Sequence, residues 1–157
     1  MGQKPKIALA SDHAGFSLKE KVREYLTALG YDVADQGTSS LESVDYPDFA
    51  EMVAQRVVAK QADFGVLVCG TGLGMAIAAN KVPGIRAATV NDTLSARYAR
   101  SHNDANVLAI GERLTDETTA RKILDTWLST PFEGGRHERR VNKISNIDLR
   151  HHTEKTK

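Results

Sequence analysis

The sequence predicts an α/β fold: a three-layer α/β/α, Rossmann-like sandwich with a central, mainly parallel sheet. Three observations support this prediction. Short apolar runs suited to buried strands alternate with stretches whose apolar residues recur at helical spacing. Turn residues separate these segments, and a length of 157 residues allows one hydrophobic core. Strands that alternate with helices need crossover connections, which place the strands parallel in a sheet covered on both faces.

The amino-terminal part of the chain predicts three strands separated by two helices. The strands are short apolar runs over residues 6–10, 31–35 and 64–69, the last of which is the strongest strand signal in the sequence. The helices carry apolar residues every three or four positions, over 16–29 and around 49–57. Gly30 ends the first helix, because glycine readily adopts the left-handed conformation that follows a last helical turn.

The carboxyl-terminal part continues the same alternation. It predicts helices over 75–80, 92–101 and around 120–128, with strands over 85–90 and 106–110 between them. Asp92 is a suitable N-cap for the second of these helices. A closing helix over about 136–149 has only a thin apolar stripe, which suits either packing on a partner subunit or a plain surface helix. We expect a single domain over 1–150 and a polar tail over 151–157.

The composition excludes several classes of protein. There are 21 Lys and Arg residues against 20 Asp and Glu, a net charge of +1, so no global charge attracts nucleic acid or a membrane surface. No apolar run approaches the ~18 residues of a membrane span. The single cysteine cannot form an internal disulfide or a cysteine-rich zinc site. We therefore expect a soluble, cytoplasmic protein that binds neither nucleic acid nor membrane.

Three segments at predicted strand ends are candidates for chemistry, because ligands of parallel sheets bind beyond the carboxyl ends of the strands. They are Asp12-His13, the glycine-rich turn 69–74 and Asn91-Asp92. Glycine turns that open a helix bind anions through backbone N–H groups. The dinucleotide-binding motif needs a third glycine at position 75, and a phosphatase loop needs an arginine there. Position 75 is Met75, so neither motif is present. Cys69 is therefore either a base or nucleophile beside an anion-binding turn, or an inert core cysteine.

Other polar residues carry weaker signals. His102 follows a predicted helix, where histidine often serves only as a cap. Arg136 and Arg140 share a helix face, which suits a phosphate or carboxylate but also a solvated ion-pair face with Glu138. Apart from the neighbouring pair at 151–152, no two histidines have the spacing of metal ligands. We expect no metal and no other cofactor.

Together, several motifs resemble one family closely, the ribose 5-phosphate isomerase B family, which also includes galactose 6-phosphate isomerase subunits. The resemblance covers about residues 6–148. The matching stretches are S-D-H-A-G-F at 11–16, D-Y-P at 45–47, C-G-T-G-L-G at 69–74 with A-N-K at 79–81, G-I-R-A at 84–87, H-N-D-A-N-V-L at 102–108, and E-G-G-R-H at 133–137 with Arg140.

The resemblance implies a metal-independent aldose–ketose isomerase that acts on a sugar phosphate as a homodimer with shared active sites, with tetramers left open. Cys69 matches the base that moves a proton between C2 and C1 through an enediolate. His102 matches the residue that helps to open the sugar ring, assisted by Asp12 and Thr71. The remaining matches contact the substrate. Gly70, Gly72 and Gly74 form the anion-binding turn, and Tyr46 and Asn103 contact the sugar. The phosphate is bound by His13, Arg113, Arg136 and Arg140, of which Arg136 and Arg140 come from the partner subunit.

Some alternatives stay open at the level of sequence. Cys69 argues against the galactose 6-phosphate branch of the family, which tends to lack a cysteine at this position. Ribose 5-phosphate is the expected substrate, and allose 6-phosphate or a tetrulose phosphate is the alternative. A non-catalytic sugar-phosphate-binding module and a subunit that needs a different partner chain are further alternatives.

Overall fold

The computed structural model describes residues 2–152, and a five-stranded parallel sheet forms its centre. The strands are β1 (Lys6–Ser11), β2 (Asp32–Asp35), β3 (Phe64–Cys69), β4 (Ala87–Thr89) and β5 (Val107–Gly111). They lie in the order β2-β1-β3-β5-β4, and every neighbouring pair is parallel. The predicted α/β sandwich is confirmed.

Six α-helices connect or follow the strands. They are α1 (Phe16–Ala28), α2 (Tyr46–Val58), α3 (Leu73–Ala79), α4 (Thr93–Ser101), α5 (Glu117–Ser129) and α6 (Arg136–His152). A 3₁₀ turn, His13–Gly15, precedes α1. The predicted N-cap of α4 is confirmed, because the side chain of Asp92 accepts a hydrogen bond from the amide of Ser95.

Alternating side chains of the strands divide the core into two layers. Ile7 and Leu9 of β1 point to one face of the sheet and pack with residues of α1, α4 and α5. Ala8 and Ala10 point to the other face and pack with residues of α2 and α3. This is the alternation of a strand buried on both faces, and it explains why the strands are nearly continuous apolar runs.

The direction of the helices decides which residues share an edge of the sheet. Because β4 and β5 are parallel, α4 must start at the carboxyl edge and end at the amino edge. Helix α5 follows β5 and returns in the same way. The loop from α5 to α6 is joined to the end of α4 by a hydrogen bond from the amide of Glu133 to the carbonyl of Ser101, 3.1 Å long. The end of α4 and the start of α6 therefore lie together at the amino edge.

Helix α6 is the least buried of the helices in residues 2–152. Only His137 and Val141 are buried, whereas Ile144 and Ile147 are 42% and 47% exposed. The helix is three residues longer than the predicted 136–149, and its last turn carries basic side chains that suit the negative end of the helix dipole. Residues 151 and 152, assigned to the predicted tail, are helical, and residues 153–157 lie outside the described residues. No helix within 2–152 combines the length and apolar character of a membrane span.

Candidate active site

A cavity of about 330 Å³ opens at the carboxyl edge of the sheet, where β1, β3 and β5 end. Parallel sheets bind their ligands at this edge. Most of the residues expected from the sequence to form a site are brought together here. The lining residues are Asp12, His13, Ala14, Tyr46, Cys69, Gly70, Thr71, Gly74 and Arg113.

Cys69 is the last residue of β3 and lines the cavity, although it is only 4% exposed. The chain turns sharply after it, so the amide of Gly72 donates a hydrogen bond to Sγ over 3.1 Å. The sulfur is therefore held by the turn that follows it while it lines the cavity. The role of Cys69 as a base rather than an inert core cysteine stays a prediction.

The turn from Gly70 to Gly74 requires a glycine within it and another on the strand against which it packs. Gly72 has a φ of +79° and is the N-cap of α3, so the turn feeds directly into a helix. The turn is also pressed against the end of β5, where a Cβ on Gly111 would lie 2.5 Å from Cα of Thr71. The hydroxyl of Thr89 fixes the turn from the side, donating to the carbonyl of Gly72 over 3.1 Å. The backbone around Cys69 is therefore held rigidly.

His13 and Asp12 follow β1 and are held by backbone hydrogen bonds. The Nδ1 atom of His13 accepts a hydrogen bond from the amide of Val44 over 3.1 Å. In a neutral imidazole this assigns the proton to Nε2, which is then free to donate to a ligand oxygen. The carboxylate of Asp12 caps the following turn, accepting from the amide of Gly15 over 3.0 Å. Asp12 therefore caps the turn, as the sequence allowed, and also lines the cavity.

Positive charge without an acidic partner lies at the cavity and on α6. The guanidinium of Arg113 covers the turn so closely that a Cβ on Gly70 would lie 3.0 Å from Nη1. Among residues 2–152, no carboxylate pairs with Arg113, Arg136 or Arg140. The ion-pair face with Glu138, considered at the level of sequence, does not form. Unpaired arginines are suited to bind phosphate oxygens bidentately.

A second group of expected site residues lies away from this cavity. His102 caps the end of α4, Asn103 follows it, and Arg136 and Arg140 lie in the first turns of α6. All four therefore lie at the amino edge of the sheet, whereas Cys69 ends a strand at the carboxyl edge. The rise of a six-residue strand separates the two groups by roughly 15 Å or more. Within one chain, His102 and Cys69 do not share a cavity.

His102 contacts two aromatic neighbours at the amino edge. Its ring packs on Tyr98 at 4.7 Å between centroids and stacks on His137 at 4.0 Å, with an interplanar angle of 10°. His137 and Glu133 also make this a group of three possible metal ligands, with ligand atoms within 4.8 Å of one another. The lone pairs of two parallel imidazoles do not converge on one point, and Arg136 and Arg140 lie close by, so we propose no metal here.

The charge state of His137 makes the stability of the fold depend on pH. Burial lowers the pKa of His137. The neighbouring charges of His102, Arg136 and Arg140 lower this pKa further, whereas the carboxylate of Glu133 raises it. The unfolded chain binds this proton at the ordinary pKa of about 6.5. Below that pH the unfolded state therefore binds more protons, and stability falls as the pH falls.

We expect His137→Leu to flatten the decrease in unfolding free energy between about pH 7 and pH 5, where the ordinary pKa of histidine is crossed. Urea unfolding at a series of pH values measures the slope directly. Carboxylates with a lowered pKa, such as Asp92 and Asp116, affect the unfolding free energy only at lower pH, and they are present in both the parent and the variant. An identical slope in the parent and the variant would contradict the assignment.

Comparison with known proteins identifies the family. The model of the family described as Ribose/Galactose Isomerase matches residues 7–144. The chain belongs to the ribose/galactose isomerase family. The ribose-5-phosphate isomerase B of Escherichia coli is 47% identical over 145 residues, covering 92% of this chain and 97% of the relative. The resemblance inferred from the motifs is thereby confirmed.

Solved structures of the family share the whole fold. The ribose-5-phosphate isomerase B of Clostridium thermocellum superposes with a TM-score of 0.92 at 51% identity, covering 93% of this chain and 99% of that one. The enzyme from Mycoplasma genitalium, solved with bound ribulose 5-phosphate, gives 0.88 at 42% identity, with 92% and 96% covered. These comparisons confirm an isomerase of sugar phosphates.

The packing of Tyr46 on α3 leaves no room for a side chain at position 74. A Cβ on Gly74 would lie 2.6 Å from Cζ of Tyr46, so the tyrosine ring lies directly on the start of α3. Tyr46 is partly exposed, so its ring has room to move outward. The position of the Tyr46 ring in the cavity wall therefore depends on Gly74, which is distant from it in sequence.

We expect Gly74→Ala to raise the KM for the sugar phosphate by roughly tenfold, because the displaced ring no longer lines the cavity. The melting temperature should stay the same or rise, since alanine is a better helix former than glycine. In a Tyr46→Leu background the same substitution should have little further effect on KM. An unchanged KM for Gly74→Ala in the parent would show that Tyr46 does not contact the substrate.

Sequence reasoning assigned no role to His137 or Glu133, which the structure places beside His102. Both residues lie in the matching E-G-G-R-H motif, so the signal was present as an i, i+4 pair of a carboxylate and a histidine. The contact with His102 depends on the loop between α5 and α6 and had no local sequence signal.

Proposed function

We propose that this enzyme interconverts ribose 5-phosphate and ribulose 5-phosphate by proton transfer through an enediolate, as a homodimer. The observation that carries the proposal is Cys69, held by a rigid glycine turn in a cavity that also presents His13 and an unpaired Arg113. The relatives named as ribose-5-phosphate isomerase B support the choice of substrate. The structure bound to ribulose 5-phosphate supports it further.

The central step is a proton transfer at carbon. The thiolate of Cys69 removes the proton from C2 of the open-chain aldose, and the electron pair moves onto the aldehyde oxygen to give an enediolate. Moving the proton of the C2 hydroxyl to the C1 oxygen and returning the proton held by Cys69 to C1 gives the ketose. A base that acts on a C–H bond must be held within contact distance of it, and the short link from β3 into the turn supplies that rigidity.

The negative charge of the enediolate needs donors that are in place before the reaction. We assign this role to the backbone amides of Gly70 and Thr71, because both residues line the cavity, whereas the amide of Gly72 donates to Sγ of Cys69. The hydroxyl of Thr71 and the carboxylate of Asp12 lie in the same wall. We assign to them the hydroxyl groups and ring oxygen of the substrate.

The phosphate is bound at a distance from the reacting carbons. Nε2 of His13 and the guanidinium of Arg113 are the donors that one chain provides. We assign Arg136 and Arg140 of a second copy to the same phosphate, because both are unpaired and lie far from the cavity of their own chain. Binding energy from the phosphate then orients C1 and C2 against Cys69.

The ring-opening step also requires the second copy. Ribose 5-phosphate is mostly a closed furanose, and opening it moves the proton of the C1 hydroxyl to the ring oxygen while the C1–O4 bond breaks. We assign this proton transfer to His102, with Asn103 binding a sugar hydroxyl and Tyr46 lining the sugar. Since His102 lies at the amino edge of its own sheet, it must come from the partner subunit.

Exposed apolar side chains support the homodimer. Ile144 and Ile147 of α6 remain about half exposed, as does Tyr98 beside His102. Side chains of this size in the same region as the second group of site residues are typical of a subunit interface. The dimer would bring the amino edge of one copy to the carboxyl edge of the other. Assembly into tetramers and the cytoplasmic location remain predictions.

Conversion of ribose 5-phosphate by the purified chain, with EDTA present, tests this proposal. We expect rapid formation of ribulose 5-phosphate without added metal. Allose 6-phosphate and a tetrulose phosphate, assayed at the same concentration, should react more slowly. A folded dimer that converts only one of these other sugars would keep the isomerase and change its substrate, whereas binding without conversion of any of them would indicate a sugar-phosphate-binding module.

A further inference from the structure

The stacked pair of His102 and His137 is a feature that the proposed chemistry does not use. The two rings are nearly parallel, with 4.0 Å between their centroids, and His137 is only 7% exposed. The two residues come from different helices that meet at the amino edge. A buried ring lying flat against a partly exposed one restricts the rotation of the exposed ring.

The backbone around the pair fixes the position of His137. The amide of Glu133 is bound to the carbonyl of Ser101, the residue before His102. The amide of His137 is bound to the carbonyl of Gly134 over 3.1 Å, and Nε2 of His137 lies 3.7 Å from Oε2 of Glu133. The loop thus connects the end of α4 to the start of α6 by a short route. His137 is held relative to His102 by backbone as well as by ring contact.

We propose that His137 is a positioning residue for His102: the buried ring holds the His102 imidazole in one plane, with its nitrogens directed to the site that the partner subunit completes. This inference rests on the proposed role of His102 in ring opening. A proton moves between two oxygens of the substrate in that step, so the orientation of the imidazole plane determines its rate.

The charges around the pair are compatible with this role. Tyr98 of α4 packs on His102, and the charged groups that act on His137 are Glu133 of the loop and Arg136 and Arg140 of α6. Burial and the neighbouring cations keep His137 neutral at neutral pH, because they lower its pKa. A neutral ring stacks on His102 without the repulsion that two imidazolium ions at this distance would suffer.

Two partial reactions of ribulose 5-phosphate separate positioning from general damage. In deuterated water, exchange of the C1 proton needs Cys69 and the enediolate, but not the ring. Net conversion to cyclic ribose 5-phosphate also needs the ring step, because the open-chain aldose is scarce at equilibrium. A variant that merely lowers the fraction of folded enzyme reduces both rates by the same factor, so the ratio of exchange to conversion reports on the ring step alone.

The experiment compares the full-length variants His137→Leu and His137→Phe, which are apolar and of similar volume but differ in the flat ring. We expect His137→Leu to raise the ratio of exchange to conversion by about tenfold. His137→Phe, which keeps a stacking surface, should stay within about threefold of the parent. His102→Ala serves as the reference and should raise the ratio most.

The outcomes distinguish the inference from the proposed function on which it rests. A raised ratio in both His102→Ala and His137→Leu, with recovery in His137→Phe, supports the positioning role. An unchanged ratio in His137→Leu while His102→Ala raises it overturns the positioning role and keeps the function. An unchanged ratio in His102→Ala overturns the assignment of His102 to ring opening, and the inference with it.

Discussion

Replacing Cys69 by alanine is expected to lower kcat for the conversion of ribose 5-phosphate by about a thousandfold, because the proposed base is then missing. The fold should survive although the amide of Gly72 loses Sγ as its acceptor, because the hydroxyl of Thr89 and the packing on Gly111 also hold the turn. Stopped-time assays with sensitive detection of the ketose measure the residual rate.

Cys69→Ser is the matched variant, because it differs only in the atom proposed as the base. A hydroxyl is a far weaker acid than a thiol, so the serine variant should also lose most of its activity. Both variants should bind the substrate with nearly the affinity of the parent, as measured by calorimetry, because the phosphate contacts remain. Turnover near the parental level in Cys69→Ala would show that another residue is the base.

Mixing two inactive variants is expected to restore activity. Cys69→Ala and His102→Ala chains each lack one half of a shared site. In a hybrid dimer one site carries both substitutions and the other carries neither. Random exchange makes half of the dimers hybrids, so about a quarter of the parental activity should return.

The mixing experiment needs evidence that subunits have exchanged, which native mass spectrometry of chains of different mass provides. Arg136→Ala can replace His102→Ala in a second mixture, and it tests whether the phosphate site is shared in the same way. If hybrids form and neither mixture regains activity, each chain supplies its own His102 and Arg136. The monomer would then have to rearrange, because these residues lie at the opposite edge from Cys69.

Much of the fold was predictable because the local signals agree with one another. The strand that ends at Cys69 is a continuous apolar run, and glycines follow it at once, so both its position and its end are encoded locally. The N-cap at Asp92 was readable for the same reason. The order β3-β5-β4, in which β5 lies between its predecessors, depends on long-range pairing and has no local signal.

The separation of the two groups of site residues illustrates a different limit. Alternating strands and helices already require that a helix between parallel strands ends at the amino edge, so the place of His102 follows from the predicted topology. The contact between His102 and His137 does not, since it joins residues 35 positions apart through a loop. The contact between Tyr46 and Gly74 is likewise tertiary, because it forms only when α2 packs against α3.

The most direct test of the central claim follows the proton. The purified chain is incubated with ribose 5-phosphate and EDTA in deuterated water until equilibrium, and the sugars are examined by NMR. Transfer through an enediolate predicts deuterium at C1 of ribulose 5-phosphate and at C2 of ribose 5-phosphate, and at no other carbon. Conversion that leaves both carbons free of deuterium would contradict the enediolate and the role of Cys69 as its base.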